Sequence, residues 1–584
     1  MNGDVPGDDA RVPERRSWPW VVLVLALGLA ALVGLFAYDA FRLYGAADGL
    51  TAHASAARDA ISDRDAAALQ EQVEDVESAA RTFERATSGP HWWLAARVPW
   101  VRDQAVPLMA AGSAVGAVAE DALAPLAELD SLEALEAPAF QDGRLDPYVP
   151  YRETLAAASS TLAEEADVLA GVDLSGTVDA LREPFEDLEE QVRTLGDLVG
   201  DASVAAELLP AMLGGEGERT YVVIVQNNAE PRATGGLPGA FIEVTVDDGR
   251  ITLGRFAAAH DMIGEEGFIA LTEDEERIFT PVMSKYPHDA NLTPEFPRTG
   301  QIVANYWTIN FGLRPDAVVS IDPIALGWML EGAPPLEVDG LEITAANLSE
   351  VMLNQAYFAY EEPEEQDAFF VRTAPQLFGR LVSGEGSTLS GVERAIDSRR
   401  LLVWSASNAE QALLARTTLA GAFLEADDAA GLFVNDASGS KIGYYVDTSV
   451  VVTDRVCADE TLASQTVEVT FSHVFDGNVE DLPGHVTGGG AFVEEGVFAA
   501  NVLFYPAVGT SVTEILRDGE AWEPMVDWHD GREMSQGRVT LSPGESVTLT
   551  YEVEAGAGVA VPELLQTPGP RLPQLERTVE DAGC

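Results

Sequence analysis

The hydrophobic pattern of the chain changes character several times between its ends. From Trp20 to Tyr38 (WVVLVLALGLAALVGLFAY) it is continuous and uncharged. Nineteen residues rising 1.5 Å each span roughly 28 Å, close to the hydrocarbon thickness of a bilayer. Trp18 and Trp20 at one end and Tyr38 at the other suit the two interfaces. Arg11, Arg15 and Arg16 precede the run and only Arg42 follows closely. The asymmetry predicts a cytoplasmic tail over 1–17, one transmembrane helix over 18–40, and an extracytoplasmic remainder. A cleaved signal peptide is the alternative, but the run is long for one and Asp39 to Tyr44 reads as a continuing helix.

Residues 41–210 are rich in Ala, Leu, Glu and Asp, and Leu69, Val73, Val76 and Phe83 recur at helical spacing among acids. Breaks at Ser88-Gly89-Pro90, around Pro138–Pro150 and near Gly171–Gly176 predict an all-α stalk of four or five helices. Near Glu218 the texture shifts to β-branched runs: Tyr221–Val225, Ala240–Val246, Arg250–Phe256 and Ala317–Asp322 read as strands. Helices are expected over Pro323–Leu330, Asn347–Ala356 and Asp367–Leu381, which makes residues 219–430 an α/β domain. From 440 to 556 short alternating strands punctuated by Gly, Asp and Pro predict an all-β sandwich. Residues 557–584 read as a flexible tail. The expected fold class is therefore multidomain: membrane helix, helical stalk, α/β domain, β-sandwich.

Composition narrows the chemistry. At 584 residues with 47% hydrophobic content the chain has material for several cores. Its 35 Lys+Arg face 96 Asp+Glu, a formal net charge of -61. Such a surface repels phosphate backbones, so nucleic acid is not an expected partner. Cys457 and Cys584 are too few for a zinc module, and the sequence leaves open whether they pair. The aromatic cluster His91-Trp92-Trp93 with Trp100 reads as core or as a contact near the membrane rather than as a ligand site.

The most distinctive run is Asn227-Asn228-Ala229-Glu230-Pro231-Arg232-Ala233-Thr234-Gly235-Gly236-Leu237-Pro238-Gly239. A strand, not a helix, follows its glycines, and no Gly-Lys-Ser/Thr is present, so phosphate loops of the Rossmann and P-loop kinds are not supported. What the run offers is a loop with a guanidinium, amides and a hydroxyl, a set able to grip phosphate oxygens. The alternative is a turn whose arginine pairs with a nearby carboxylate. His260-Asp261 and His288-Asp289 read as surface neighbours. No Gly-x-Ser-x-Gly elbow, His-Glu-x-x-His or EF-hand loop occurs.

The runs YVVIVQNNAEPRATGGLPGAF, FPRTGQIVANYW, RPDAVVSIDPIALGWMLE and NLSEVMLNQAY, together spanning roughly 219–380, resemble domain-of-unknown-function family 4012 (DUF4012). The order of elements is in turn similar to the LytR-CpsA-Psr (LCP) phosphotransferases. Those anchored enzymes move a glycopolymer from a polyprenyl pyrophosphate to peptidoglycan. This resemblance implies that Arg232 and Arg372 would be catalytic phosphate ligands. It implies a ligand-binding set of Asn227, Asn228, Thr234, Gly235, Gly236 and Asn305, and a Mg2+ ion held by Asp261 and Asp367. The chain departs from the enzymes where Ala233-Thr234 replaces their Ser-Asp, and Glu361, Glu362, Glu364 and Glu365 crowd the approach to Arg372. The resulting expectation is a single-pass protein of the cell envelope that binds, and in the fuller version transfers, a polyprenyl-phosphate-linked glycopolymer. The rival is a non-catalytic envelope scaffold or binding protein.

Overall fold

The computed structural model describes residues 66–127, 151–262, 268–360, 362–386, 388–458, 460–572 and 574–584, together with part of 32–56. The predicted membrane span 18–40 lies outside the described residues except for residue 32 and residues 34–40, which are helical. The break predicted around Pro138–Pro150 lies outside them as well. The molecule is multidomain, with helices and several β-sheets, and divides into two compact bodies, one ending at Glu207 and the other running from Leu208 to Cys584.

The first body is a helical bundle. Its long helices are α1 (Ala66–Thr87), α2 (Arg102–Ala127), α3 (Arg152–Ala170) and α4 (Asp179–Met212). Ala111, Ala114 and Val118 of α2 meet Leu155, Ala158 and Leu162 of α3 and Phe185, Val192 and Val199 of α4 in one core. Val76 and Ala80 of α1 pack on Ala119. Small residues let the backbones approach: a Cβ on Gly112 would sit 1.9 Å from the Thr87 hydroxyl. Among the described residues α2 alone is long and apolar enough to cross a membrane, and close to half of its apolar stretch is buried within the structure. That burial is what a core helix of the bundle requires.

The second body begins with a five-stranded mixed sheet. Its strands are β1 (Arg219–Arg232), β2 (Gly235–Asp247), β3 (Arg250–Ala258), β4 (Ala317–Ile321) and β7 (Leu402–Ser405), in the order β3-β2-β1-β4-β7. A small hairpin of β5 (Leu336–Val338) and β6 (Leu341–Ile343) stands apart. β1 pairs antiparallel with β2 and parallel with β4. Its period of two is used on both faces. Val222 and Ile224 enter a core with α5 (Phe296–Phe311), while Tyr221 and Val223 face a core containing Ala325 and Met329 of α6 (Pro323–Met329). Such two-sided burial is why this strand reads as an unbroken apolar run.

Two further sheets pack face to face. One orders β13-β12-β16-β10-β9-β18 and the other β14-β15-β11-β8-β17. The first comprises β9 (Val446–Val456), β10 (Leu462–His473), β12 (Thr510–Arg517), β13 (Glu520–Ala521), β16 (Ser546–Ala555) and β18 (Gln574–Asp581). The second comprises β8 (Ala429–Asp436), β11 (Phe498–Tyr505), β14 (Met525–His529), β15 (Arg532–Leu541) and β17 (Glu563–Gln566). In β11, Ala500, Val502 and Phe504 point into the sandwich, while Leu503 and Tyr505 join the core beneath β1 and α5. The five-stranded sandwich sheet thus contributes to two cores, one shared with its partner sheet and one with β1 and α5. That shared core makes residues 208–584 one body.

Two expectations change. The tail over 557–584 supplies β17, parallel to β8, and β18, parallel to β9, and it ends in a Cys457–Cys584 disulfide. Its prolines interrupt the strands without preventing them, because each strand joins a sheet edge whose hydrogen-bonding partner is distant in sequence. The expected loop over 226–236 is strand as well. β1 continues to Arg232 and turns at Ala233-Thr234 directly into β2, with register shifts at Val225/Gln226 and Asn227/Pro231.

Candidate functional site

The distinctive run forms the far end of the β1–β2 hairpin, beyond the part that pairs with β4. Its glycines serve the hairpin itself. Gly235 has φ +137°, a conformation that side chains rarely adopt, and Gln226 Oε1 fills the space a Cβ would need. On Gly236 a Cβ would lie 2.2 Å from the Asn227 carbonyl, so the two strands approach too closely there for any side chain.

The side chains of the tip reach outward to separate elements. Asn227 Nδ2 donates to Tyr357 Oη at 2.8 Å. Asn228 Nδ2 donates to Asp322 Oδ2 and to the Pro568 carbonyl, both at 3.0 Å. Lys441 Nζ donates to Glu230 Oε1 at 2.7 Å. Arg232 donates through Nη2 to Asp289 Oδ1 at 3.2 Å and through Nη1 to the Pro231 carbonyl at 3.1 Å. The Ala233 N–H donates to Asn435 Oδ1, its carbonyl accepts from the Thr567 hydroxyl, and Asn291 Nδ2 donates to the Gly236 carbonyl. The Thr234 hydroxyl is buried without a partner. Arg232 is therefore paired with a carboxylate in this structure.

Electrostatics around the tip follow from burial. Desolvation pushes Asp436 up to about 6; Arg232 opposes the shift and Glu230 adds to it. Desolvation also pulls the Lys441 ammonium down, but Glu230 and the Tyr357 hydroxyl outweigh it, and the net shift is upward. Burial raises the Tyr357 phenol. Asp322 accepts from Arg400 Nη1 at 2.5 Å in an ion pair almost wholly closed to solvent, and its other oxygen caps α6 at the Ala325 N–H.

A cavity of about 330 Å³ opens beside the tip, lined by Asn228, Pro231, Thr448, Gln566, Thr567 and Arg571 among others. The Asn228 amide has a definite orientation: both partners of its nitrogen are acceptors, so Oδ1 must be the other end, and it is buried with no partner. Arg571 Nε donates to Asp447 Oδ1 at 2.6 Å, also on the cavity lining.

The remaining predicted residues lie elsewhere. Arg372, on α7 (Pro363–Val382), is half exposed and ion-paired to Asp339, which also accepts from Tyr360 Oη. No hydrogen bond, ion pair or common partner links it to Arg232 among the described residues. Asn305 on α5 donates to the Gln301 carbonyl one turn back and takes no part in the hairpin contacts. Asp261 and Asp367 do come together: His260 Nε2 lies 3.5 Å from one and 4.0 Å from the other. Desolvation, with Asp261 and Glu364 adding and His260 opposing, raises the Asp367 carboxyl. Both carboxylates are largely exposed, and among the described residues no group of three or more His, Cys, Asp or Glu side chains is placed to hold a metal ion.

Sequence reasoning took Asp289 for a surface neighbour of His288, whereas its side chain is 16% exposed and paired with Arg232. Asp322 and Tyr357 lie in runs singled out by resemblance, without a role assigned to them. Asn435, Asp436, Lys441 and Arg400 were missed, and of these only Lys441 is marked by rarity, being one of two lysines in the chain. Neither a curated protein nor a solved structure matches the chain. One family model does: residues 216–357, which hold the hairpin, α5, β4 and α6, match DUF4012, described as a protein of unknown function.

Proposed function

We propose that this chain is a membrane-tethered protein of the cell envelope that binds a ligand or partner without chemical turnover. Arg232 is the observation that carries the reading. The guanidinium assigned to a phosphate by resemblance is buried and paired with Asp289, so a phosphate would have to displace a carboxylate inside the protein. Arg372 is engaged with Asp339, and Ala233-Thr234 offers no carboxylate for a metal. The cavity beside Asn228 is of ligand-pocket size. The uncharged run 20–38 with arginines on its amino-terminal side supports a single anchor with the carboxy-terminal bulk outside. Pairing of the chain's two cysteines suits an oxidising exterior.

Transfer of a polyprenyl-phosphate-linked glycopolymer to peptidoglycan is the second reading, favoured by the convergence of Asp261 and Asp367 on His260. The two are separated by incubating the full-length protein in detergent micelles with a polyprenyl-pyrophosphate-linked oligosaccharide, a peptidoglycan acceptor and magnesium. No polyprenyl product should be released. Release that Arg372→Ala abolishes overturns the non-catalytic reading.

A further inference from the structure

Residues 91–102, His-Trp-Trp-Leu-Ala-Ala-Arg-Val-Pro-Trp-Val-Arg, play no part in the site above. Pro90–Ala95 is a short helix whose Trp92 and Ala95 pack into a small core with Ala105, Phe36 and Leu43. The next residues turn outward: Trp93 is 55% exposed and Trp100 71%, with Leu94 and Val98 also exposed. Four large apolar side chains within eight positions are more than a scatter of surface hydrophobics. Trp100 also has φ +67°, the left-handed region that a side chain occupies only under strain. Neither packing nor turn geometry accounts for a tryptophan there, which points to a role for the exposed ring.

The neighbouring segment identifies what the rings meet. Residues 34–43 are helical and overlap the end of the uncharged run Trp20–Tyr38. His91 Nε2 donates to Asp39 Oδ2 at 2.6 Å, and the Phe36 ring meets both His91 and Trp92 with centroids 5.0 Å apart. The end of the apolar run and the tryptophan turn are therefore one packed corner, and Phe41 on it is 79% exposed. Charge agrees with that placement. Residues 85–102 contain no Asp or Glu but three arginines, Arg85, Arg97 and Arg102, in a chain with 96 acids. Arg97 lies 3.3 Å over the Trp93 ring and donates to the Trp93 carbonyl, an aromatic body with a cation at its rim.

We propose that His91–Arg102 is a membrane-surface foot. Trp93, Leu94, Val98 and Trp100 enter the headgroup layer of the bilayer that holds residues 20–38, and Arg97 and Arg102 lie against lipid phosphates. The proposal rests on the tethered reading and adds to it that the helical bundle stands on the bilayer through a second, peripheral contact.

The test uses the full-length protein in vesicles of phosphatidylcholine and phosphatidylglycerol in equal parts, with or without brominated acyl chains. Single cysteines are introduced as Gly28→Cys, Val98→Cys and Val168→Cys and labelled with an environment-sensitive fluorophore; the native cysteines are held in their disulfide. Brominated chains should quench the labels at 28 and 98 by roughly twofold or more and leave exposed position 168 unchanged. Adding Trp93→Ser and Trp100→Ser should restore most of the emission at 98 and none at 28. Quenching at 28 without quenching at 98 overturns the foot and leaves the anchor standing. Absence of quenching at 28 overturns the anchor.

Discussion

Arg232 Nη2 and Asp289 Oδ1 lie 3.2 Å apart, and this ion pair fastens the tip of the β1–β2 hairpin to the segment ahead of α5. The arginine side chain is only 7% exposed. In the structure its guanidinium ties the hairpin tip down through Asp289. Arg372 makes its ion pair with Asp339 in contact with solvent, where screening leaves little net gain.

Arg232→Ala should therefore lower stability by about 3 kcal/mol, because it leaves the Asp289 carboxylate without its guanidinium in a partly closed site. Arg372→Ala should leave the urea midpoint of the full-length protein where it is. Equal effects from the two substitutions would remove the distinction drawn here.

The hairpin's closest approach is at Gly236. Gly236→Ala places a Cβ 2.2 Å from the Asn227 carbonyl carbon and oxygen, a clash with backbone that no rotamer relieves. At Gly239, three positions along the same strand, the nearest atoms are 3.9 Å away. Gly236→Ala should yield little soluble folded protein, and Gly239→Ala should express and melt like the parent. Soluble Gly236→Ala with an unchanged melting temperature would show that the hairpin is more open than described.

Asp436 gives a pH dependence. Its folded pKa, pushed up to about 6 by desolvation, exceeds the unfolded value of 3.8. The folded state then binds the proton more tightly, so the contribution is fully present below about pH 4 and is lost as pH rises through about 6. Asp436→Asn should flatten that segment of the stability curve relative to the parent. The comparison isolates one group from the many other acids that titrate nearby in pH. Parallel curves between pH 4 and pH 7 would remove Asp436 as the source.

The Cys457–Cys584 bridge closes 127 residues of chain and ties down β18. Cys584→Ser, or mild reduction, should cost about 2–4 kcal/mol by relaxing the constraint on the unfolded chain. The exposed edge strand Gln574–Asp581 should then become the first site of limited proteolysis. Unchanged stability and cleavage under reducing conditions would show that the bridge adds nothing.

Much of the second body could be read locally. Tyr221–Val225, Ala240–Val246, Arg250–Phe256 and Ala317–Asp322 all fall within or against observed strands, and Pro323–Leu330 within a residue of α6. The β-branched runs carry their own conformational preference, and burial on both faces keeps them free of polar interruption. The segment Asn227–Arg232 has no such preference, and its polarity reads as a loop. It is strand because its groups are satisfied by partners the sequence cannot place: Asn435 is 202 positions from Ala233, and Pro568 is 340 from Asn228.

The sequence by itself determined the apolar amino-terminal run, the helical composition of the first body, the β-branched strands of the second and the distinctiveness of the Asn227–Gly239 run. Each follows from residue type and spacing within a short window. Tertiary structure alone decided that Arg232 meets Asp289, that Asp261 and Asp367 share His260 while Arg232 and Arg372 share no partner among the described residues, and that the last residues complete two sheets. Hydrogen bonds, ion pairs and the disulfide join groups far apart in the chain, and which distant partner a polar group finds depends on how the layers stack rather than on its neighbours in sequence.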